Sequence, residues 1–153
     1  MATFGTFVDG VSLKASELNS LLVSTTFTPV IRQSSSLTVT DAFGRYQKVS
    51  NTVLCQAFFQ VFANGVANNR IEFDLPVTAA TNSERVIGSG YIFDAGSTNV
   101  LRVAVVRFST TKAAFLGGLS NSLTNYLGLS AATPTITLEA GDFFGFTIQY
   151  EAA

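Results

Sequence analysis

The stretch RYQKVSNTVLCQAFFQVF, residues 45–62, decides the fold of this chain. In its second half, residues 52–62, two kinds of side chain alternate, and successive side chains of a β-strand point to opposite faces. Ser50 and Asn51 separate this half from the run before it, and short polar residues in that position predict a tight turn. The sequence therefore predicts a β-hairpin here, with an antiparallel sheet around it.

The two faces of residues 52–62 differ in chemistry. One face is apolar throughout, and we predict that it faces the core: Val53, Cys55, Ala57, Phe59 and Val61. The other face alternates large apolar side chains with amides, beginning at Leu54. Aromatic rings are enriched where proteins contact one another. We therefore predict that this second face contributes to a contact between subunits, through Gln56, Phe58, Gln60 and Phe62.

Alternating runs continue after the hairpin, separated by Gly, Asn, Asp and Ser. In residues 70–75 the apolar side chains are predicted to point inward and the charged ones outward, as in a half-buried strand. Gly88 and Gly90 lie on one face of the next run, which predicts a bend or a close approach of two backbones.

The end of the chain completes the fold prediction. Residues 109–134 have no sustained period and are predicted to be mostly loop, with a short strand or helix. Residues 135–138 (TITL) and 143–150 (FFGFTIQY) are predicted to be the last strands, joined by a turn at Ala140-Gly141-Asp142. About eight strands result, so the predicted fold class is all-β, an antiparallel β-sandwich or jelly roll over residues 27–153. The pattern leaves the strand order open.

Residues 1–26 differ from the rest and are predicted to form an N-terminal arm with one short helix. Ser16 suits the N-cap of that helix, and the leucines after it recur at spacings of three and four residues. Such an arm is too short to bury its own apolar groups. We therefore expect it to become ordered on another surface. The residues expected to anchor it are Phe4, Phe7, Val8, Leu18, Leu21 and Leu22.

The composition favours self-association. The 153-residue chain is 12% charged and 47% hydrophobic, whereas an average soluble domain is roughly 25% charged. A membrane-spanning helix needs about 18 consecutive apolar residues, whereas the longest apolar runs here are about four residues, such as Val103–Val106. The net charge of −1, without a basic cluster, argues against nucleic-acid binding. The start of the chain lacks the features of a signal peptide, which predicts synthesis in a cytoplasm.

No residue pattern predicts catalysis. The chain has no histidine, which excludes Ser-His-Asp and Cys-His sites and most zinc sites. Cys55 is expected to be a small buried hydrophobe. Glu72 and Asp74 share one face of a strand, and this pattern is more typical of a solvated side than of an acid–base pair. We expect no enzyme activity, cofactor or metal. Tyr126, in an irregular stretch, is a candidate ligand contact in an apical loop.

Several phrases of the sequence resemble bacteriophage virion proteins. FVDGVSLKASELNSL, residues 7–21, resembles the N-terminal segment of short virion proteins. The stretches FTPVIRQ, GRYQKVSNTVLCQAFFQVFANGVANNRIEFDLPVTAA and GSGYIFDAG are similar to phrases of fibre-tip and head-decoration domains. LEAGDFFGFTIQYEAA, residues 138–153, is similar to the last hairpin of trimeric jelly rolls of the complement and tumour-necrosis-factor type.

This resemblance implies a homotrimeric virion protein without enzyme activity. In such trimers the last strand lies near the three-fold axis, which implies that Phe144, Phe146 and Tyr150 join the trimer contact. Two roles are expected. The first is a capsid decoration or cement protein that binds the major capsid protein through its arm. The second is a receptor-binding fibre tip whose apical loops recognise a host surface glycan. A polysaccharide-degrading enzyme is a remote third. All three place the protein in the virion.

Overall fold

The structure is a computed structural model, and it describes residues 23–82, 85–117 and 136–153. This part of the chain consists of ten β-strands and loops, with no helix. The strands are β1 (Thr25–Phe27), β2 (Ile31–Gln33), β3 (Ser35–Ser36), β4 (Val39–Val49), β5 (Thr52–Val61), β6 (Ile71–Asp74), β7 (Val86–Asp94), β8 (Asn99–Arg107), β9 (Lys112–Gly117) and β10 (Phe143–Glu151). The predicted arm helix lies outside the described residues.

All ten strands belong to one sheet, in the order β1-β4-β5-β10-β7-β8-β9-β6-β2-β3, and every neighbouring pair is antiparallel. The sheet curls, because Phe73 on β6 stacks on Phe146 on β10 with ring centroids 4.3 Å apart, although three strands separate β6 from β10. The predicted all-β fold is confirmed, and the curled sheet is consistent with a β-sandwich or jelly roll.

The core is a cluster of phenylalanines between the two halves of the curled sheet. Phe59 and Phe144 stack with centroids 5.0 Å apart, and Phe115 contacts both Phe144 and Phe146 edge-on or at a tilt. Aromatic pairs in such arrangements contribute about 0.5–1.5 kcal/mol each beyond the area that they bury. The apolar face predicted for residues 52–62 is confirmed as core, since its five side chains are 0–2% exposed.

The predicted hairpin is present as β4 and β5, joined at Ser50 and Asn51. Ser50 has φ = 54°, in the left-handed region that short polar side chains tolerate better than bulky ones. The close approach predicted at Gly88 and Gly90 is also confirmed. A Cβ atom on either glycine would collide with the backbone of the neighbouring strand β10, at Thr147 and Gly145.

Two boundaries differ from the prediction. The sheet begins at Thr25, because β1 pairs with Gly44–Tyr46 of β4, so the domain starts before the predicted boundary at residue 27. Residues 136–138 are buried in part but are not a strand. Their backbone is held by the buried Gln33 side chain, which donates to Ile136 O (3.1 Å) and accepts from Leu138 N (2.9 Å). A side chain thus replaces a strand partner there.

Candidate interaction surface

The outward side chains of five neighbouring strands, β4, β5, β10, β7 and β8, form one continuous surface. Strand pairing aligns Phe43, Phe58, Gly145, Tyr91 and Arg102 in a single row across these strands. A second row beside it contains Gln60, Phe143, Phe93 and Val100. We call this surface the aromatic face and define it by Phe43, Leu54, Gln56, Phe58, Gln60, Phe62, Tyr91, Phe93, Val100 and Phe143.

The rings of the aromatic face contact one another across the strands. The Phe143 ring lies 5.9 Å from the rings of both Phe58 and Phe93. Tyr91 lies over Gly145, and a Cβ atom at that position would collide with its ring. At the β4 margin the Arg45 guanidinium sits 4.6 Å from the centre of the Phe43 ring, a cation–π contact. Neighbouring strands therefore fix the positions of these rings.

The aromatic face is exposed to a degree that is unusual for its chemistry. Leu54 is 45% exposed, Tyr91 41%, Phe62 67% and Val100 62%. A soluble monomer rarely leaves a broad contiguous apolar surface in water. Strands on both sides satisfy the backbone of β5, β10 and β7, so a partner would contact this surface through its side chains. Such a surface is suited to binding rather than to chemistry.

The polar groups of the aromatic face are amides and arginines. The outward residues of the five strands include Arg45 and Arg102, and no lysine. The carboxylate of Glu151 lies at the far end of β10, and β4 carries the exposed Asp41 in its irregular stretch between Thr40 and Phe43. In the part of the chain that the structure describes, none of these four side chains forms a salt bridge. The amides of Gln56, Gln60 and Gln149 can donate and accept hydrogen bonds.

The sequence placed part of this surface correctly. The outward position of Gln56, Phe58, Gln60 and Phe62 is confirmed by the alternation of burial along β5. Their role in a contact stays a prediction. The sequence pattern did not predict four other members of the face, Phe43, Tyr91, Phe93 and Phe143. The signal that could have found Phe143 is the stretch FFGF, in which Phe143 and Gly145 lie on the face opposite to Phe144 and Phe146.

The predicted contribution of Phe144, Phe146 and Tyr150 to the trimer contact is wrong. These side chains are 0–4% exposed within a single chain and point into its own core. The reason is the alternation of β10, whose even-numbered residues face inward. The Tyr150 hydroxyl donates to Val77 O at 2.8 Å, and burial raises the pKa of this phenol. The last strand does lie in the middle of the sheet, between β5 and β7.

Other predicted sites have different outcomes. The arm residues Phe4, Phe7, Val8, Leu18, Leu21 and Leu22, and the loop residue Tyr126, lie outside the described residues. Cys55 is buried as predicted, and burial raises the pKa of its thiol to about 12. A thiol in that state is not a nucleophile near neutral pH, because the thiolate is the reactive form.

The solvated face predicted for Glu72 and Asp74 needs correction at Glu72, since the Asp74 side chain is 37% exposed. Glu72 is only 9% exposed and accepts hydrogen bonds from Lys112 and from Arg70 (3.1 Å), while Asp74 pairs with Arg32. Burial raises the pKa of Glu72, but the hydrogen bonds and charges of Lys112 and Arg70 outweigh this effect and hold the pKa below its ordinary value. Both carboxylates are therefore committed to ion pairs.

One acidic cluster was not found from the sequence. Carboxylate oxygens of Asp94, Glu139 and Asp142 lie within 4.8 Å of one another, in a set that could ligate a hard cation. Both oxygens of the buried Asp142 already accept backbone N–H bonds, from Ala95 (2.9 Å) and Glu139 (3.0 Å). Burial and, to a lesser degree, repulsion from Asp94 and Glu139 raise its pKa, despite those bonds. The cluster thus has a structural role, in tying two turns together.

Comparisons with protein-family models, with curated proteins and with solved structures found no match to this chain. Within the described ranges there is no helix long and apolar enough to cross a membrane. The function must therefore be argued from the residues themselves and from the sequence resemblance.

Proposed function

We propose that this protein is a structural component of a bacteriophage virion, a homotrimeric decoration or cement protein that binds the major capsid lattice and braces it. The observation that supports this proposal most is the aromatic face, which has the chemistry of a protein contact. The resemblance of residues 7–21 to virion proteins supplies the kind of particle, and the resemblance of residues 138–153 to trimeric jelly rolls supplies the trimer.

The described part of the molecule suits a bracing role. Its curled sheet has long ladders, such as the nine paired positions between β5 and β10, and a core of stacked rings. A body of this kind changes shape little when it binds. A bound protein stabilises the state that it binds in proportion to its affinity and concentration. Many copies that each contact neighbouring capsid subunits would therefore oppose the opening of the shell.

The second candidate is a receptor-binding fibre tip that recognises a host glycan. The observation in its favour is the combination of exposed rings, amides and arginines on one surface, since such rings present an apolar face beside hydrogen-bonding groups. The two candidates differ in where the protein sits on the particle.

Imaging of labelled particles tests the proposal. A particle population carrying a tagged copy of this protein would be examined by electron microscopy with a label against the tag. The decoration role predicts label over the whole head. Label confined to the tail or to fibre ends would favour the receptor-binding role, and particles without label would refute both.

A deletion tests the part assigned to the arm. The cut should fall after residue 22, since a cut after residue 26 would remove most of β1, which pairs with β4. We expect the protein without residues 1–22 to remain folded and trimeric but to bind particles that lack it at much lower occupancy than the full chain does. Normal occupancy would show that the sheet domain itself docks on the capsid.

A further inference from the structure

We infer that the aromatic face is the surface through which copies of this chain contact one another. This inference deepens the proposed function and rests on it in one respect, namely that the protein works as an assembly of identical chains. It places the contact on the aromatic face. The sequence resemblance had assigned part of the contact to Phe144, Phe146 and Tyr150, which are buried in the core.

The dimensions of the aromatic face suit the central part of a contact with another folded protein, which buries roughly 800 Å² per partner in total. Five strands at about 4.8 Å spacing make it roughly 19 Å wide, and the seven residues from Phe143 to Gln149 extend it about 20 Å along β10. Exposed Leu54 and Val100 lie on opposite sides of the central rings, so the apolar surface reaches across the whole face. A small ligand would cover a fraction of it and leave the rest in water.

The composition of the face is that of the buried centre of a protein contact. Aromatic residues and arginine are enriched in such centres and lysine is depleted. The outward residues of these five strands supply phenylalanines, Tyr91, two arginines and no lysine. By contrast, Lys112 and the ion pairs of the described residues all lie on β2, β6 and β9 or beside them.

The polar groups favour a second copy of the same chain as the occupant. The face carries both signs of charge, with Arg45 and Arg102 among the rings and Glu151 at the end of β10. Around a three-fold axis, a surface with both signs can pair the charges of one copy with the opposite charges of the next copy. Glutamine side chains are likewise self-complementary, because each amide donates and accepts. A surface made for an anionic ligand would have no use for Glu151.

Two substitutions at the face test the inference. Phe58→Asp and Tyr91→Asp would each place a charge at the centre of the contact, and a buried charge without a partner is strongly unfavourable. The matched control is Val66→Asp, since Val66 is 50% exposed in a loop away from the face. Each full-length variant would be checked for a native circular-dichroism spectrum and melting transition before its mass is measured by analytical ultracentrifugation.

We expect the unchanged protein and the Val66→Asp control to sediment as the same oligomer. Phe58→Asp and Tyr91→Asp should sediment as folded monomers, with a dissociation constant raised about 100-fold or more. If both folded face variants stay assembled with the affinity of the control, the inference is overturned. It is also overturned if the unchanged protein is a monomer, and binding of an oligosaccharide in a glycan-array assay that Phe58→Asp abolishes would then identify the face as a glycan site.

These outcomes are independent of the test of the proposed function. One outcome is label over the phage head together with an oligomer that persists in both face variants. This outcome would support the decoration role and show that the contact between copies lies elsewhere. A contact at the aromatic face without label on particles would refute the role and leave the contact intact.

Discussion

The outer side of the curled sheet has two regions that differ in chemistry. One is rich in ion pairs and the other is rich in exposed aromatic rings. On β2, β6 and β9 lies what we call the ion-paired face, defined by Arg32, Arg70, Glu72, Asp74 and Lys112. Its three salt bridges are made within one chain. On β4, β5, β10, β7 and β8 lies the aromatic face, whose exposed rings and leucine have no such cover.

The difference between the two faces reflects where the few charged residues of this chain lie. Only 12% of the residues are charged, and those of β2, β6 and β9 pair with one another, which leaves the other side of the sheet mainly apolar. Partly exposed ion pairs contribute little stability each, but they satisfy the charges of this face within one chain. The apolar side chains of the aromatic face are removed from water only when a partner covers them.

The sharpest way to separate inside from outside is to compare two phenylalanines at one end of β5. Phe59→Ala should lower the free energy of unfolding by about 3–5 kcal/mol, because Phe59 is fully buried and stacks on Phe144. Phe62→Ala, at a position 67% exposed within one chain, should change the free energy of unfolding of the separated chain by less than about 0.5 kcal/mol, because Phe62 acts in the contact between copies. Urea unfolding measures both changes in the Tyr91→Asp background, in which the copies are expected to be separate. A cost below about 1 kcal/mol for Phe59→Ala would contradict the assigned core.

The ion-paired face can be broken at its centre. Glu72→Gln removes the charge shared by Lys112 and Arg70 and should cost about 1 kcal/mol near neutral pH, since both partners are partly exposed. The oligomeric mass should not change, because this face is satisfied within one chain. An altered mass would mean that the ion-paired face also takes part in the contact.

The difference in stability between the unchanged protein and Glu72→Gln should depend on pH, in a direction set by the pKa of Glu72. The pKa of Glu72 is lowered by folding, so its stabilisation is fully present above the ordinary value of 4.5 and is lost as the pH falls through the lower folded value. The unfolding free energies of the unchanged protein and of Glu72→Gln should therefore converge as the pH drops below about 4.5. Urea unfolding at pH 7 and pH 3 measures this, and a gap that widens at pH 3 would show the opposite sign.

The smallest expected effect comes from a substitution in the aromatic face that adds no charge. Gly145→Ala puts a methyl group where the Tyr91 ring lies, so the ring must move. Because the Tyr91 side chain is flexible, the backbone need not shift. We expect the contact between copies to weaken about three- to tenfold. The control is Gly96→Ala, in the turn after β7, where the added methyl meets the Glu139 carboxylate instead. Equal affinities for the two variants, measured by ultracentrifugation, would argue against a role for Tyr91.

Local patterns in the sequence were enough to predict much of the fold. The alternation of residues 52–62 predicted which side of β5 is core, and the same rule applied to β10 would have placed Phe144 and Phe146 inside and Phe143 outside. The resemblance to trimeric jelly rolls assigned that strand to a subunit contact instead. The strand lies in the middle of the sheet of one chain, and its phenylalanines point to both sides.

Features that depend on distant partners could not be predicted. The environment of Glu72 depends on Lys112, forty residues later in the chain, so the spacing of Glu72 and Asp74 alone suggested a solvated side. Gln33 gave no sign that its amide would hold residues 136–138. The strands β2 and β3, of three and two residues, are too short to show an alternation. The aromatic face itself joins five strands, and its extent follows from their order in the sheet.

The mass of the unchanged protein in solution tests the central claim, that the aromatic face is covered by other copies of the chain. Light scattering coupled to size exclusion, at micromolar concentration and near neutral pH, measures it directly. The account predicts a homotrimer, with three times the protomer mass of 16.2 kDa. A stable mass of 16.2 kDa would contradict it, because the aromatic face would then remain in contact with water.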